Sequence, residues 1–315
     1  MPGKYSDNNP NITNMRSLSS KSSKLFELRI CEMSEYIDGV LARIKNELGE
    51  PENIYEALSV LSDETFCFIG EGHADSLDIN RTRLSRHGKN ILREDRALAC
   101  ELILEALMRA GIVPSESDFL PCGERPDVIA YVKGALADEA YDVFSEELSD
   151  PRVVYCENFK EAIRAILTGE AGYCILPLEE SGGVRLHGIS EYIHKSDLKI
   201  NSVTPVFGFD GSADMKYALL SLSFAVGGRS DDDRYLEIRL PVDTALTIDE
   251  LLSVAAGFGH SVYRVNTESL PGEEGESSFY TVVFRDGGAG FTLLLTYLTL
   301  FSDSYTAVGV YNNLE

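Results

Sequence analysis

The chain has 315 residues, 44% hydrophobic and 25% charged, with a formal charge of −23 and a pI near 4.6. That length suits two or three domains with cores of their own, and the acidity argues against nucleic acid or an anionic membrane as partner, since both bind through clustered cationic surface. No run approaches the roughly 18 apolar residues of a membrane span. The six cysteines show neither CxxC nor metal-finger spacing, which points to a reducing cytoplasm, with no metal and no cofactor expected.

In chain order, residues 1–24 are polar, rich in Asn and Ser, and read as a mobile tail without the apolar core of a signal peptide. Residues 25–124 read as a mostly helical N-terminal region. Leu25, Leu28, Met33, Ile37, Val40 and Ile44 recur at helical spacing, a second helix is expected over 54–61, and a third from about Glu94 to Arg109. Between them, a strand-like 65–69 leads into Gly70-Glu71-Gly72, read as a simple turn, and His73, Asp75 and Asp78 read as an accidental cluster. Arg81, Arg83, Arg86, His87, Lys89, Arg93 and Arg96 make the most basic stretch of an acidic chain. It is either a solvated face paired with the protein's own acid or an anion site.

From residue 125 strands and helices alternate. Strands are expected at 128–132, 152–156, 173–176 and 198–203. Between them lie a helix with Leu136, Ala140 and Phe144 inward, a second capped by Asn158, and a short one at 189–193. This order calls for a largely parallel sheet with helices packed on it. The third strand is expected to stop at Pro177 and open into a loop of Glu179, Glu180, Ser181, Gly182 and Gly183, at the carboxyl end of the sheet where such folds place ligands. Beyond 217–224, strands at 235–240, 261–267, 279–285 and 305–311 and helices at 247–256 and 291–301 read βαββαβ, a ferredoxin-like module. Thr247 and Glu250 form a capping box at the first of these helices.

The stretch VYCENFKEAIRAILTGEAGYCILPLE, Val154 to Glu179, resembles the first lobe of prephenate dehydratases, with Pro177-Leu178-Glu179-Glu180-Ser181 on the family's "P-I-E-N-S" loop and IAYVKGALA, Ile129 to Ala137, on its first strand and "G-T-F-S" turn. The resemblance implies substrate-holding hydroxyls where this chain has Ala135 and Ala137, and a threonine acid where it has Met215. It also implies an arginine where this chain has Lys216, and a second lobe for which only Asn201 to Asp214 remain. The C-terminal part is similar to the family's regulatory ACT domain. Thr244-Ala245-Leu246-Thr247 lies at "G-A-L-V", Glu268-Ser269-Leu270-Pro271 at "E-S-R-P" and Gly309-Val310-Tyr311 at "L-G-S-Y". A looser resemblance, Glu27-Leu28-Arg29 with Ile37-Asp38 and Arg93-Glu94, is to helical chorismate mutases.

These readings define α/β and α+β architecture: a tail over 1–24, a mostly helical region over 25–124, a periplasmic-binding-protein-like half-lobe over 125–214 and an ACT-like module over 215–315. The expected ligand, a small aromatic or carboxylate molecule, would be held by Lys133, Gly134, Glu179, Ser181, Gly182, Gly183 and Lys216. Regulatory contacts would fall on Thr244, Ala245, Leu246, Glu268, Ser269 and Leu270, and the resemblance implies a homodimer through the ACT-like module. The expected role is regulation of aromatic amino-acid biosynthesis without dehydratase activity. The alternatives are an active chorismate- or prephenate-converting enzyme completed by the N-terminal region, and a dimeric scaffold.

Overall fold

The computed structural model describes residues 57–58, 93–109, 111–148, 151–180, 183–207, 213–225, 234–272, 275–302 and 304–314. The helix expected over 25–44, the 65–69 strand with its Gly70-Glu71-Gly72 turn, the His73 cluster and the basic side chains from Arg81 to Arg93 lie outside them.

In order, the elements are α1 (Arg93–Arg109), α2 (Glu116–Phe119), β1 (Val128–Val132), α3 (Ala135–Ser145), β2 (Arg152–Cys156), α4 (Phe159–Leu167), β3 (Tyr173–Glu180), β4 (Val184–Arg185), α5 (His187–Lys195), β5 (Lys199–Phe207), β6 (Ala213–Ser221), β7 (Arg234–Pro241), α6 (Ile248–Gly257), β8 (Ser261–Gly272), β9 (Gly275–Arg285), α7 (Thr292–Phe301) and β10 (Thr306–Asn313). Among the described residues the strands form a mixed α/β architecture around one ten-stranded sheet, in the order β2-β1-β3-β6-β5-β10-β7-β9-β8, with β4 paired to β3. β1, β2 and β3 are parallel, and β6 runs antiparallel between β3 and β5. The expected parallel run is therefore interrupted: β5 keeps the direction of β3 but reaches it only through β6. From β7 onward the elements fold as βαββαβ with an antiparallel sheet β10-β7-β9-β8. The two halves join where β10 pairs in parallel with β5.

Period-two burial distributes the side chains to opposite faces. Ile129, Tyr131, Ile175 and Leu219 pack under α3, while Ala130, Cys174, Leu176 and Leu220 pack under α4 and α5. Val283, Val308 and Tyr311 of the second half join the α4–α5 core, so α5 lies against both halves. The other face of the βαββαβ half, with Leu236, Ile238 and Leu240, is covered by α6 and α7 and then by α1 and α2. A buried Arg96–Glu250 pair at 2.7 Å ties α1 to α6, and Tyr297 of α7 donates to the same carboxylate at 2.7 Å. Thr247 caps α6 through the Glu250 N–H as expected, while the Glu250 carboxylate reaches Arg96 and Tyr297. Glu116 of α2 accepts from the Phe291 N–H at 2.8 Å and pairs with Arg234, docking α2 onto the start of α7.

One expectation about the central strand needs correction. β3 does not stop at Pro177 but runs through it to Glu180. Its pairing with β1 ends at Ile175, while Pro177 still pairs with Tyr217 of β6, and a register shift between Pro177 and Glu179 accommodates the ring. The polar loop is thus a β-hairpin: Glu179 pairs with Arg185 and Glu180 with Val184, and Gly183 takes the positive φ of 79° that the turn requires.

Candidate functional site

The hairpin brings Glu179 to the seam between the two halves of the sheet, where it is 3% exposed. Three cations surround it. Arg264 of β8 lies 2.5 Å away, Arg185 of β4 3.5 Å and Lys216 of β6 3.8 Å. Arg185 also grips Glu237 of β7 in a two-pronged contact of 2.5 and 2.8 Å, and the hydroxyl of Tyr311 donates to Glu237 at 3.3 Å.

Burial alone would suppress the charge on Arg185, but Glu237 and Glu179 outweigh it and lift the guanidinium above its ordinary pKa. Burial would likewise raise Glu237, yet Arg185, with Arg239 and Arg264, holds it below the usual carboxylate value. Tyr311 is pushed up, first by burial and then by Glu237, so it stays a neutral donor. The shifts of Arg185 and Glu237 favour the charged form of each, so this pair holds the seam together as an ion pair. Its outer edge is aromatic. The Lys216 ammonium lies 6.0 Å from the Tyr263 ring, and Tyr235 bridges Tyr263 and Tyr311 at 5.0 and 5.9 Å. Tyr263 is 52% exposed, and Lys216 and Arg264 keep partial solvent access.

Of the residues expected to hold a ligand, the structure brings Glu179 and Lys216 together. Gly183 is in the exposed hairpin turn, and Ser181 and Gly182 lie outside the described residues. Lys133 and Gly134 are exposed at the end of β1, where Lys133 sits over the Tyr155 ring of β2 at 5.1 Å, on the side of β1 away from β3. Ala137 is buried among Ile129, Tyr131 and Phe144 of the α3 core. In the second half, Leu246 is buried in the α6–α7 core, Thr244 is half-buried and Ala245 exposed. Glu268, Ser269 and Leu270 are strand residues of β8, with Glu268 3.9 Å from Arg239.

Arg185, Arg264, Glu237 and Arg239 are the site residues that sequence reasoning missed. Their signal was present in Tyr235-Leu236-Glu237-Ile238-Arg239-Leu240, where opposite charges alternate with apolar residues. Such alternation ordinarily marks a solvent face, and here α5 and β4 cover it.

No protein-family model matches the chain, and no curated protein matches it. Among solved structures, the fold is similar to prephenate dehydratase from Streptococcus mutans, with a TM-score of 0.47 and 19% identity over 60% of this chain and 99% of that one. It is similar to GqqA, described as a novel type of quorum quenching acylases, with a TM-score of 0.45 and 19% identity over 60% and 96%. A third similar structure is prephenate dehydratase from Arthrobacter aurescens in complex with L-Phe, with a TM-score of 0.43 and 12% identity over 59% and 90%.

Proposed function

We propose that the protein is a prephenate-dehydratase-like binding protein without dehydratase activity, which takes a small aromatic or carboxylate ligand at the hairpin seam and regulates aromatic amino-acid biosynthesis in the cytoplasm. The observation that carries this reading is the charge of the seam. Three cations, Arg185, Arg264 and Lys216, meet two carboxylates, Glu179 and Glu237, and the surplus positive charge opens to solvent at Lys216 beside the ring of Tyr263. A carboxylate gains most from a partly desolvated cation, and an aromatic group from the adjacent ring.

Dehydration of prephenate requires an acid for the departing hydroxyl and a cleft that excludes water. Met215 occupies the acid's place and has no proton to give, and Glu179 is engaged by three cations. β5 and β6 are consecutive antiparallel strands joined by residues 208–212, far too few for a lobe of about 50 residues. The described part of the N-terminal region supports binding over catalysis, because α1 packs on the face of the sheet opposite Glu237. The ACT-like half would dimerise along its edge strand β8, where Val262, Tyr263 and Val265 are exposed.

Incubating the purified protein with prephenate and, separately, with chorismate should give no turnover; conversion of either at enzymic rates would overturn the reading. A thermal-shift series with phenylalanine, tyrosine, tryptophan and phenylpyruvate should show stabilisation by at least one, lost in Lys216→Ala.

A further inference from the structure

Arg239 lies two residues beyond Glu237 on the same face of β7, 2% exposed beneath α5. A guanidinium carries five N–H donors. Here Nη2 makes one long bond of 3.5 Å to the Ser190 carbonyl and lies 3.9 Å from the Glu268 carboxylate, while Nε has no hydrogen-bond partner among the described residues. Three neighbouring buried polar atoms are also unpartnered: Ser190 Oγ on α5, Thr281 Oγ1 on β9 and Glu268 Oε2 on β8. The strand register sets Thr281 directly opposite Arg239 and Glu268 opposite Phe279. Each unmet buried group costs about 1–3 kcal/mol, so their convergence at one seam calls for a common partner. The contrast with Arg185 is instructive. Arg185, whose Nε is likewise unpartnered, grips the Glu237 carboxylate at 2.5 and 2.8 Å, whereas Arg239 has among the described residues only the 3.9 Å approach of Glu268, and burial pulls it below its ordinary pKa despite Glu237 and Glu268. The part-exposed rings of His194 and Phe279, 5.5 Å apart, form the outer rim.

We propose that this seam between α5 and the sheet is a second binding site, distinct from the Lys216 edge, for a small 2-hydroxy or 2-amino carboxylic acid. The ligand carboxylate meets the Arg239 guanidinium and the Ser190 and Thr281 hydroxyls, and the donor on its second carbon meets Glu268 Oε2. A planar acid matches the guanidinium fork, and the second donor satisfies the one acceptor among the four unpartnered atoms that a carboxylate cannot.

Isothermal titration of the full chain with lactate, alanine and propionate tests this. Lactate or alanine should bind saturably and at least about tenfold more tightly than propionate, which lacks the donor. Arg239→Met should abolish binding and Thr281→Val weaken it. Glu268→Gln should penalise alanine, whose ammonium needs the full carboxylate, more than lactate, and so distinguish the two ligand types. No saturable binding of lactate or alanine, equal binding of propionate, or wild-type affinity in Arg239→Met would each overturn the site. Should Arg239→Met fail to fold, the near-isosteric Thr281→Val decides, and wild-type affinity there overturns the site equally. Turnover of prephenate would sink the preceding reading and leave this one standing.

Discussion

At the residue scale, the seam between the two halves rests on Arg185, whose guanidinium joins the hairpin carboxylate Glu179 to the strand carboxylate Glu237. A buried ion pair contributes little over a well-packed apolar pair, but losing one partner strands the other charge. Arg185→Met should therefore destabilise the protein by about 3–5 kcal/mol in urea unfolding, and the double variant Arg185→Met, Glu237→Leu should recover most of that loss. The pH dependence follows from the direction of the Glu237 shift. A folded-state pKa below the ordinary carboxylate value means that its stabilisation is present above pH about 4.3 and is lost as the pH falls through the folded value. The penalty of Arg185→Met should accordingly shrink in acid, where Glu237 is protonated. A penalty that stayed constant from pH 7 to pH 3 would show that the pair is not ionised in the folded protein.

At the element scale, the hairpin β3–β4 and the strand β10 decide how the halves meet. Pro177 was legible as a breaker but not as a residue inside a strand, because the end of the β1 pairing at Ile175 and the register shift against β6 are properties of the neighbouring strands. The helices were more readable. Asn158 caps α4 through the Glu161 N–H, and the apolar face of α4 is buried at the expected spacing, because capping and amphipathicity are local properties. Gly309 illustrates a landmark whose reason appears only in three dimensions. A Cβ there would come within 2.8 Å of Ile200 Cβ on β5, the strand with which β10 joins the halves. Gly309→Ala should cost about 1–3 kcal/mol in thermal or denaturant unfolding; a neutral effect would mean that β10 and β5 are not in this register.

At the scale of the whole molecule, one sheet carries both halves and, among the described residues, ends at β8, a twelve-residue edge strand with exposed apolar side chains and an unpaired backbone edge. Such an edge templates pairing with a second strand. The dimer proposed along it should be seen in light scattering of the purified protein, and Val262→Lys should shift the mass toward that of the monomer. A monomeric wild-type protein would remove the dimer. No helix among the described residues is long and apolar enough to cross a membrane.

Sequence alone determined the alternation of strands and helices from residue 128 onward, the βαββαβ order after Tyr235 and the caps of α4 and α6, because each is written in periodicity or in short-range chemistry. Only the tertiary structure decided that β6 slots antiparallel between β3 and β5, that the polar loop is a closed hairpin, and that Glu179 meets Arg185 and Arg264 while Glu237 and Arg239 are covered by β4 and α5. The physical reason is that partners separated by tens of residues leave no local trace. A charged residue on an alternating strand looks the same whether water or a buried countercharge faces it, and the packing of the other elements settles which.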